Sequence, residues 1–344
     1  MVEVGGISRR ILRELCMDSR VTITELSENL GYSRPIISRH IEAMERELGI
    51  KYTLDLNHRE LRLGDMVVYH VSFRHDPPES FIQDYLDKSS MVQLAVKTKN
   101  NGVKDRSFEL VMFVLASNDE EFAKWNLNIG LKFSDYGVTV SKSNMDIIHH
   151  GFIPLNKDII ESARIDDVYK KLLVALNENS RATVRSLAKD LKMNEEMVRY
   201  YMGKLTKLNY VRRHTAVLTG QQQGASVMFF ARYTYAKGAI NRIIEKRKVY
   251  FKKELDMPVY NDWQMVSSLS GAADEFEWAM APTEKQAIDD RLKLHERMFK
   301  SDSPNISWGI VEKVYKGVLP IRSVDIKKLY NTTEWVPGQN YKGD

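Results

Sequence analysis

The sequence predicts an α+β fold in which two winged helix-turn-helix domains alternate with two ferredoxin-like βαββαβ domains. The first observation is a repeat: residues 7–30 align without a gap with residues 168–191 and share seven identical positions. The second is the pattern after each repeat, which is typical of strand, helix, two strands, helix and strand. Together they indicate that one unit occurs twice, in a first and a second half of the chain.

The composition suits several domains with packed cores. The 344 residues are 43% hydrophobic and 28% charged, which excludes a disordered chain. No run of eighteen apolar residues occurs, the first ten residues lack the pattern of a secretion signal, and Cys16 is the only cysteine. We therefore expect a cytoplasmic protein without a membrane partner or an internal disulfide. The net charge of +5 permits a polyanionic partner without requiring one.

The first repeat, which we call the first head (residues 7–50), predicts three short helices. Ile11 and Leu15 are spaced to share the buried face of the first helix. Thr22 and Glu25 have the spacing of a capping box at the start of the second helix. Gly31 follows the last apolar residue of that helix, where glycine commonly ends a helix.

The third helix of the first head has the outward side chains from which a function can be inferred. Ser33 is placed to cap it, and Pro35 falls in its first turn, where a missing N–H costs little. Helical spacing predicts a buried stripe formed by Ile37, Ile41, Met44 and Leu48. The same spacing predicts an outward face that carries Pro35, Ser38, Arg39, Glu42 and Arg46.

The second head (residues 165–213) repeats this arrangement with a different outward face. Val198, Met202 and Leu205 are expected to be buried. The outward positions are Arg199, Tyr200, Gly203, Lys204 and Lys207. A short helix with a basic outward face, set after a tight turn, suits insertion into the major groove of DNA. The alternative is an ordinary solvated helix face.

Each head precedes segments whose patterns follow the order β-α-β-β-α-β. In the first half these segments are 65–73, 78–89, 91–99, 108–116, 119–133 and 137–155. In the second half they are 226–236, 239–255, 262–270, 275–281, 284–300 and 305–321. Such a domain has one sheet face under its helices and leaves the other for a partner sheet or a ligand.

These patterns predict five segments. The winged helix-turn-helix domains are residues 1–60 and 159–216, and the ferredoxin-like domains are residues 61–158 and 217–322. Residues 323–344 form a polar C-terminal tail. The boundary between the two halves is expected in the segment 157–167, "KDIIESARIDD".

The chain resembles the Lrp/AsnC (feast/famine) family of prokaryotic transcription regulators. The resemblance is carried by "DSRVTITELSENLGYS", with Arg20 and Ser33, and by "NSRATVRSLAKDLKMN", with Arg181, Leu187 and Ala188. Asn194 replaces the serine of the family pattern in the second copy. The family joins its helix-turn-helix to a βαββαβ effector (RAM) domain, and that domain often carries a Gly-x-x-Asp turn. Matching turns occur at Gly102, Asp105, Gly271 and Asp274.

The departure from the family is the tandem fusion. Family members usually have one copy of the unit and pair through their ferredoxin-like sheets. The resemblance therefore implies an internal pseudo-dimer with its two sheets packed together. It also implies that higher homo-oligomers can form.

The resulting hypothesis is a sequence-specific DNA-binding transcription regulator that is not an enzyme, with no cofactor and no metal. Its partner is double-stranded DNA, with a small-molecule effector expected near the Gly-x-x-Asp turns. The residues expected to contact DNA are Ser33, Arg34, Ser38, Arg39, Arg46, Arg199, Tyr200, Lys204 and Lys207. The first head carries seven basic and seven acidic residues, whereas the second carries eleven and six. Because Glu195 and Glu196 open the recognition helix of the second head, we expect the heads to bind unequally.

Two alternatives remain open. Siroheme decarboxylases share both modules and work as pairs of related subunits, so a fused pair would resemble this chain. The one His pair, His149 and His150, lies in a predicted strand and points to opposite faces, which argues against a joint metal site. The other alternative is an architectural protein that uses its winged helices for protein contacts.

Overall fold

The computed structural model of the chain describes residues 6–100, 109–116, 118–145, 147–149, 153–218, 227–234, 262–267, 270–271, 275–281, 285 and 305–317. In these residues the mixed α/β fold contains two three-helix heads, a two-stranded ribbon between them and a ten-stranded antiparallel sheet. No helix in these ranges is both long enough and apolar enough to span a bilayer.

The first head contains α1 (Gly6–Met17), α2 (Ile23–Leu30) and α3 (Arg34–Leu48). The expected capping box is confirmed: Glu25 N–H donates to Thr22 Oγ1 at 3.1 Å, and Thr22 N–H donates to Glu25 Oε2 at 2.8 Å. Gly31 ends α2 in the left-handed conformation at φ 71°. Ser33 occupies the cap position of α3, but its side chain accepts no hydrogen bond from the helix.

The core of the first head includes a residue from the second half of the chain. Ile37, Ile41 and Met44 of α3 are buried as expected, with Ile11, Leu15 and Leu26 around them. The side chain of Leu48 lies outside the described residues. Ala216, which belongs to the strand after the second head, completes this cluster.

The second head contains α7 (Asp167–Glu178), α8 (Val184–Leu191) and α9 (Glu195–Lys207). Asn194 caps α9 by accepting a hydrogen bond from Met197 N–H at 2.7 Å. The left-handed residue that ends α8 is Lys192 at φ 54°, where the first head has Gly31. Val198 and Leu205 are buried, whereas Met202 is only partly buried.

The segment expected to be a boundary is helical. Residues Lys157–Ser162 form α6, capped by Asn156, whose Oδ1 accepts a hydrogen bond from Ile159 N–H at 3.0 Å. Ile159 and Ile160 are buried in the same cluster as Leu172 and Leu173 of α7. The predicted boundary between residues 158 and 159 therefore falls inside α6, because its two isoleucines pack against the second head.

The two heads share a two-stranded ribbon, made of the strand that follows each head. Strand β1 (Ile50–Leu56) pairs antiparallel with β7 (Val211–Leu218), and Thr53 lies opposite Thr215. Helix α1 packs against β7, and α7 packs against β1. Each head therefore rests on a strand that follows the other head.

Buried polar contacts across the ribbon occur in matched pairs. Thr53 Oγ1 donates to the backbone oxygen of Asn177 at 2.8 Å, and Thr215 Oγ1 donates to that of Cys16 at 2.7 Å. These two carbonyls stand at equivalent positions of the two repeats. The contacts satisfy buried hydroxyl groups on both sides and fix how each head sits on the ribbon.

A second matched pair joins the loops before α2 and α8. Ser19 N–H donates to the His214 carbonyl at 2.9 Å, and Ser180 N–H donates to the Tyr52 carbonyl at 3.2 Å. The hydroxyls of Ser19 and Ser180 lie 2.6 Å apart, and both side chains are fully buried. The repeated Ser-Arg of the two heads thus places one serine from each head in direct contact.

The larger sheet takes strands from both halves. The first half contributes β2 (Met66–Ser72), β3 (Val92–Asn100), β4 (Glu109–Val114), β5 (Thr139–Met145) and β6 (Ile147–His149). The second half contributes β8 (Val227–Thr234), β9 (Asp262–Ser267), β10 (Ser270–Gly271), β11 (Glu275–Ala281) and β12 (Asn305–Lys316). Their order is β10-β5-β2-β4-β3-β12-β8-β11-β9-β6.

This order adds edge-to-edge pairing between the halves to the expected packing of two sheets. The last strand of each half pairs with the second strand of the other half, as β12 with β3 and β6 with β9. The halves are thus hydrogen-bonded edge to edge, which removes strand edges that two separate sheets would leave unpaired. At one end of the sheet β10 pairs with β5, and at the other end β6 pairs with β9. Since β6 comes directly after β5 in the chain and β10 directly after β9, the two ends of the sheet are joined by the same two segments.

Two helices cover the outer face of the sheet in the first half. These are α4 (Glu79–Asp87) and α5 (Asp119–Lys132). Their core is aromatic: the ring centroids of Tyr69 and Trp125 lie 5.0 Å apart, and those of Phe73 and Phe133 lie 5.3 Å apart. The helices predicted at 239–255 and 284–300 lie outside the described residues, except for residue 285, and so does the tail at 323–344.

Candidate nucleic-acid interface

The outward face of α3 carries the residues expected to contact DNA from the first head. Arg34, Arg39 and Arg46 are exposed, and all three lie away from the buried stripe of the helix. The Ser38 hydroxyl is half-buried and donates to Glu42 Oε1 at 3.0 Å. The face is therefore cationic at three positions, with one hydroxyl held by a neighbouring carboxylate.

The outward face of α9 is arranged differently. The Arg199 guanidinium forms an ion pair with Glu195 Oε2 at 2.9 Å, one helical turn away. The Lys204 ammonium lies 5.4 Å from the centre of the Tyr200 ring, which is 60% exposed. Lys207 is exposed at the end of the helix. Since an exposed ion pair of this kind is worth little, Arg199 can exchange Glu195 for a phosphate at small cost.

Equivalent positions of the two faces differ in chemistry. Counted along the repeat, Arg39 corresponds to Tyr200, and Arg46 corresponds to Lys207. One face therefore offers a guanidinium where the other offers an exposed aromatic ring. The scaffold under both faces is the same, since Ile37 and Val198, which are also equivalent, are both buried.

The arginines of the repeated Ser-Arg contact the ribbon. The Arg181 guanidinium lies 4.9 Å from the centre of the Tyr52 ring on β1. The Tyr52 hydroxyl donates to Glu45 Oε1 at 2.6 Å, so a residue of α3, a ribbon residue and a residue of the second head form one chain of contacts. Sequence reasoning found both arginines but could not show this role, because their contacts lie in the opposite half.

The His214 carbonyl accepts from Ser19 N–H as the Tyr52 carbonyl accepts from Ser180 N–H, so His214 and Tyr52 have matching places on the ribbon, and His214 lies near Arg20. Its pKa is lowered to about 4, first because burial disfavours the charged ring and then because the Arg20 guanidinium is close; the Asp18 carboxylate opposes the shift. The ring is therefore neutral in the folded protein at physiological pH.

Acid should weaken the fold through His214. In the unfolded chain the pKa lies near 6.5, so the unfolded state binds the proton more readily between that value and about 4. The contribution of the neutral His214 ring to the free energy of unfolding is complete above pH 6.5 and is lost as the pH falls toward 4. Between pH 7.5 and 4.5 the melting temperature of the His214→Gln variant should fall by less than that of the wild type. His75→Gln, at an exposed histidine, is the control, and identical curves for wild type and His214→Gln would contradict the assignment.

The residues expected near an effector are mostly outside the described part of the chain. Gly102, Asp105 and Asp274 fall there. Gly271 lies in β10, where its backbone pairs with Ser143 of β5 and therefore bridges the two halves. His149 lies in β6 opposite Met265, and His150 is outside the described residues.

The residues that the structure describes bear on metal binding and on thiol chemistry. They contain no group of three or more His, Cys, Asp or Glu side chains placed to hold a metal ion. The Cys16 thiol lies 3.5 Å from the Ala216 carbonyl, and burial raises its pKa to about 12. A thiol with so high a pKa is a poor nucleophile at physiological pH.

Comparison with known proteins agrees with this geometry. Residues 6–47, which contain α1, α2 and nearly all of α3, match the model of the winged helix-turn-helix DNA-binding family. A stretch of 71 residues is 35% identical to a proline dehydrogenase transcriptional activator of Rhodobacter capsulatus, covering 21% of this chain. That stretch represents 46% of the activator, so the chain spans less than half of that relative.

A second relative and one solved structure extend the comparison. An uncharacterized HTH-type transcriptional regulator of Pyrococcus abyssi is 28% identical over 149 residues, which cover 41% of this chain and 93% of that protein. The crystal structure of the siroheme decarboxylase NirDL matches 94% of this chain and 97% of its own, with a TM-score of 0.53 and 13% identity. At that identity the match supports a common fold and nothing about chemistry.

Proposed function

We propose that the chain is a sequence-specific DNA-binding transcription regulator of Lrp/AsnC type. The observation that carries the proposal is the pair of exposed recognition faces, on α3 and α9, presented by two heads that share one ribbon. The family match at residues 6–47 and the two transcription-regulator relatives support it. A small-molecule effector, RAM-type ferredoxin-like domains and higher homo-oligomers belong to the same proposal, as does a cytoplasmic location.

The proposal includes a tandem duplication that works as an internal pseudo-dimer. The matched contacts across the ribbon support it, because two pairs of residues that are equivalent in the repeat, Ser19 with Ser180 and Cys16 with Asn177, make equivalent hydrogen bonds to the ribbon. The reciprocal pairing of β12 with β3 and of β6 with β9 supports it in the sheet. The domains 1–60, 61–158, 159–216 and 217–322 and the tail 323–344 remain the proposed division of the chain, with the second boundary inside α6.

The two heads should prefer different half-sites. The first two residues of the recognition helix are Arg34 and Pro35 in the first head, after the cap residue Ser33, and Glu195 and Glu196 in the second. Two carboxylates at a helix N-terminus suit the helix dipole but repel DNA phosphates. We therefore propose an imperfect palindrome or an asymmetric site.

The direct test is selection of bound duplexes from a random pool, followed by gel-shift titration at fixed salt. Enrichment of one sequence and binding that weakens with rising salt are the expected results. A chain that binds no DNA at low salt would overturn the proposal and would favour an architectural role through protein contacts.

Arg39→Ala should weaken binding to the selected site by about 1–3 kcal/mol if the guanidinium reads a base edge. Binding to unrelated DNA should change far less, since it depends on the total charge near the phosphates. Lys124→Ala on α5 removes the same charge from an exposed position outside the heads and serves as the control. If Arg39→Ala binds the selected site as tightly as Lys124→Ala does, Arg39 does not read DNA.

The fold match along 94% of the chain favours one second candidate, a siroheme decarboxylase-like enzyme. Mixing the protein with siroheme or haem and recording the Soret band distinguishes the two. A stoichiometric spectral shift together with loss of carboxylate groups from the tetrapyrrole would favour the enzyme. An unchanged Soret band favours the regulator.

A further inference from the structure

Two large apolar side chains are exposed at the same position of the two recognition helices. Ile36 is 37% exposed and Met197 is 41% exposed, and each is the third residue of its helix, α3 or α9. They are equivalent in the repeat, separated by the same 161 positions as Ser19 and Ser180. The next residue of each helix, Ile37 or Val198, is fully buried in its head.

Ile36 and Met197 are both exposed although the residues around them differ between the two helices. Beside Ile36 lies Arg39, and beside Met197 lies Tyr200, one turn further along each helix. One exposed apolar side chain on a protein surface is ordinary. The same exposed position in both heads, next to polar residues that differ between them, indicates a common apolar contact.

The place of Ile36 and Met197 in the first turn of each recognition helix indicates which group they contact. In helix-turn-helix proteins the N-terminal residues of the recognition helix approach the base edges of the major groove. The one apolar group that B-DNA presents there is the C5-methyl of thymine, and aliphatic side chains contact it. The third residue of a helix that inserts by its N-terminus therefore lies where such a methyl group can be covered.

We propose that Ile36 and Met197 are specificity-determining residues, each packing on a thymine methyl group in its own half-site. This inference rests on the proposed DNA-binding function. The polar residues of the faces position the heads and read other base edges, while the two apolar residues select thymine over the other bases. The half-sites then share a thymine while differing at neighbouring positions.

Replacement of thymine by uracil tests the contact, because uracil lacks only the C5-methyl group. One position in each half-site of the selected sequence should show a loss of affinity of about fourfold, which corresponds to the roughly 0.8 kcal/mol of one buried methylene-sized group. Ile36→Ala should abolish the thymine-to-uracil difference in the first half-site only. Met197→Ala should abolish it in the other half-site only, so that each pair of changes forms a double-mutant cycle.

Leu208→Ala provides the matched control. Leu208 is 40% exposed but follows the C-terminal end of α9, away from the turn that approaches the bases. This variant should keep the full thymine-to-uracil difference at both half-sites. A wild-type protein that selects a sequence but binds uracil and thymine alike at every position overturns the inference and leaves the DNA-binding function standing. A protein that selects no sequence overturns the function itself.

Discussion

Inserting five base pairs between the half-sites of a selected DNA should lower the affinity of the chain by about 10²–10⁴-fold, the range by which two linked sites exceed one. Five base pairs turn the second half-site to the opposite side of the duplex, since one turn takes about 10 base pairs. The heads cannot follow, because β1 pairs with β7 along the whole ribbon and the buried Ser19 and Ser180 hydroxyls lie 2.6 Å apart. Only one head can then bind.

The measurement is a gel-shift titration of the original and the extended duplex at one salt concentration. A duplex with a single half-site is the control, and its affinity should equal that of the extended duplex. A ten-base-pair insertion restores the side of the helix but moves the half-sites about 34 Å further apart, so it should recover little. Equal affinity for the original and extended duplexes would contradict a rigid ribbon and show that the heads move independently.

The features that could be predicted from the sequence are mostly local. Thr22 and Glu25 predict a capping box because both partners lie within one turn, and the box forms as expected. The buried positions of α3 follow from a period of 3.6 residues. The helix in the segment 157–167 escapes sequence reasoning because six residues with two isoleucines carry too weak a pattern, and the residues that bury them belong to α7.

The contacts between the halves could not be read from the sequence. Nothing near Ala216 indicates that it belongs to the core of the first head, about 200 residues earlier. The pairing of β12 with β3 depends on edge strands, and a sequence pattern identifies a strand better than its neighbour. In the candidate interface the outward residues of α3 and α9 were predicted, but the exposure of Ile36 and Met197 depends on how each helix packs in its head.

The junction between the halves should be sensitive to a substitution at Gly317. Gly317 follows β12 in the left-handed conformation at φ 80°, beside the first residues of β3. A Cβ atom there would overlap the Gln93 carbonyl oxygen and lie 3.0 Å from Leu94 Cα. Neither atom can move aside as the end of a flexible side chain could, because both belong to the backbone. The preceding residue is also fixed, since the Lys316 ammonium donates to the Leu86 and Ser89 carbonyls.

Gly317→Ala should therefore destabilise the chain by about 3–5 kcal/mol, made of about 1–2 kcal/mol for a left-handed residue with a side chain and the rest for the steric conflict. Gly31→Ala is a matched control, because Gly31 has φ 71° but a Cβ atom added to it would meet nothing within 4 Å. The free energy of unfolding of Gly31→Ala should fall only by the cost of a side chain in the left-handed conformation, about 1–2 kcal/mol. Urea unfolding followed by circular dichroism measures both, and equal losses for the two variants would mean that β3 moves away from β12 without penalty.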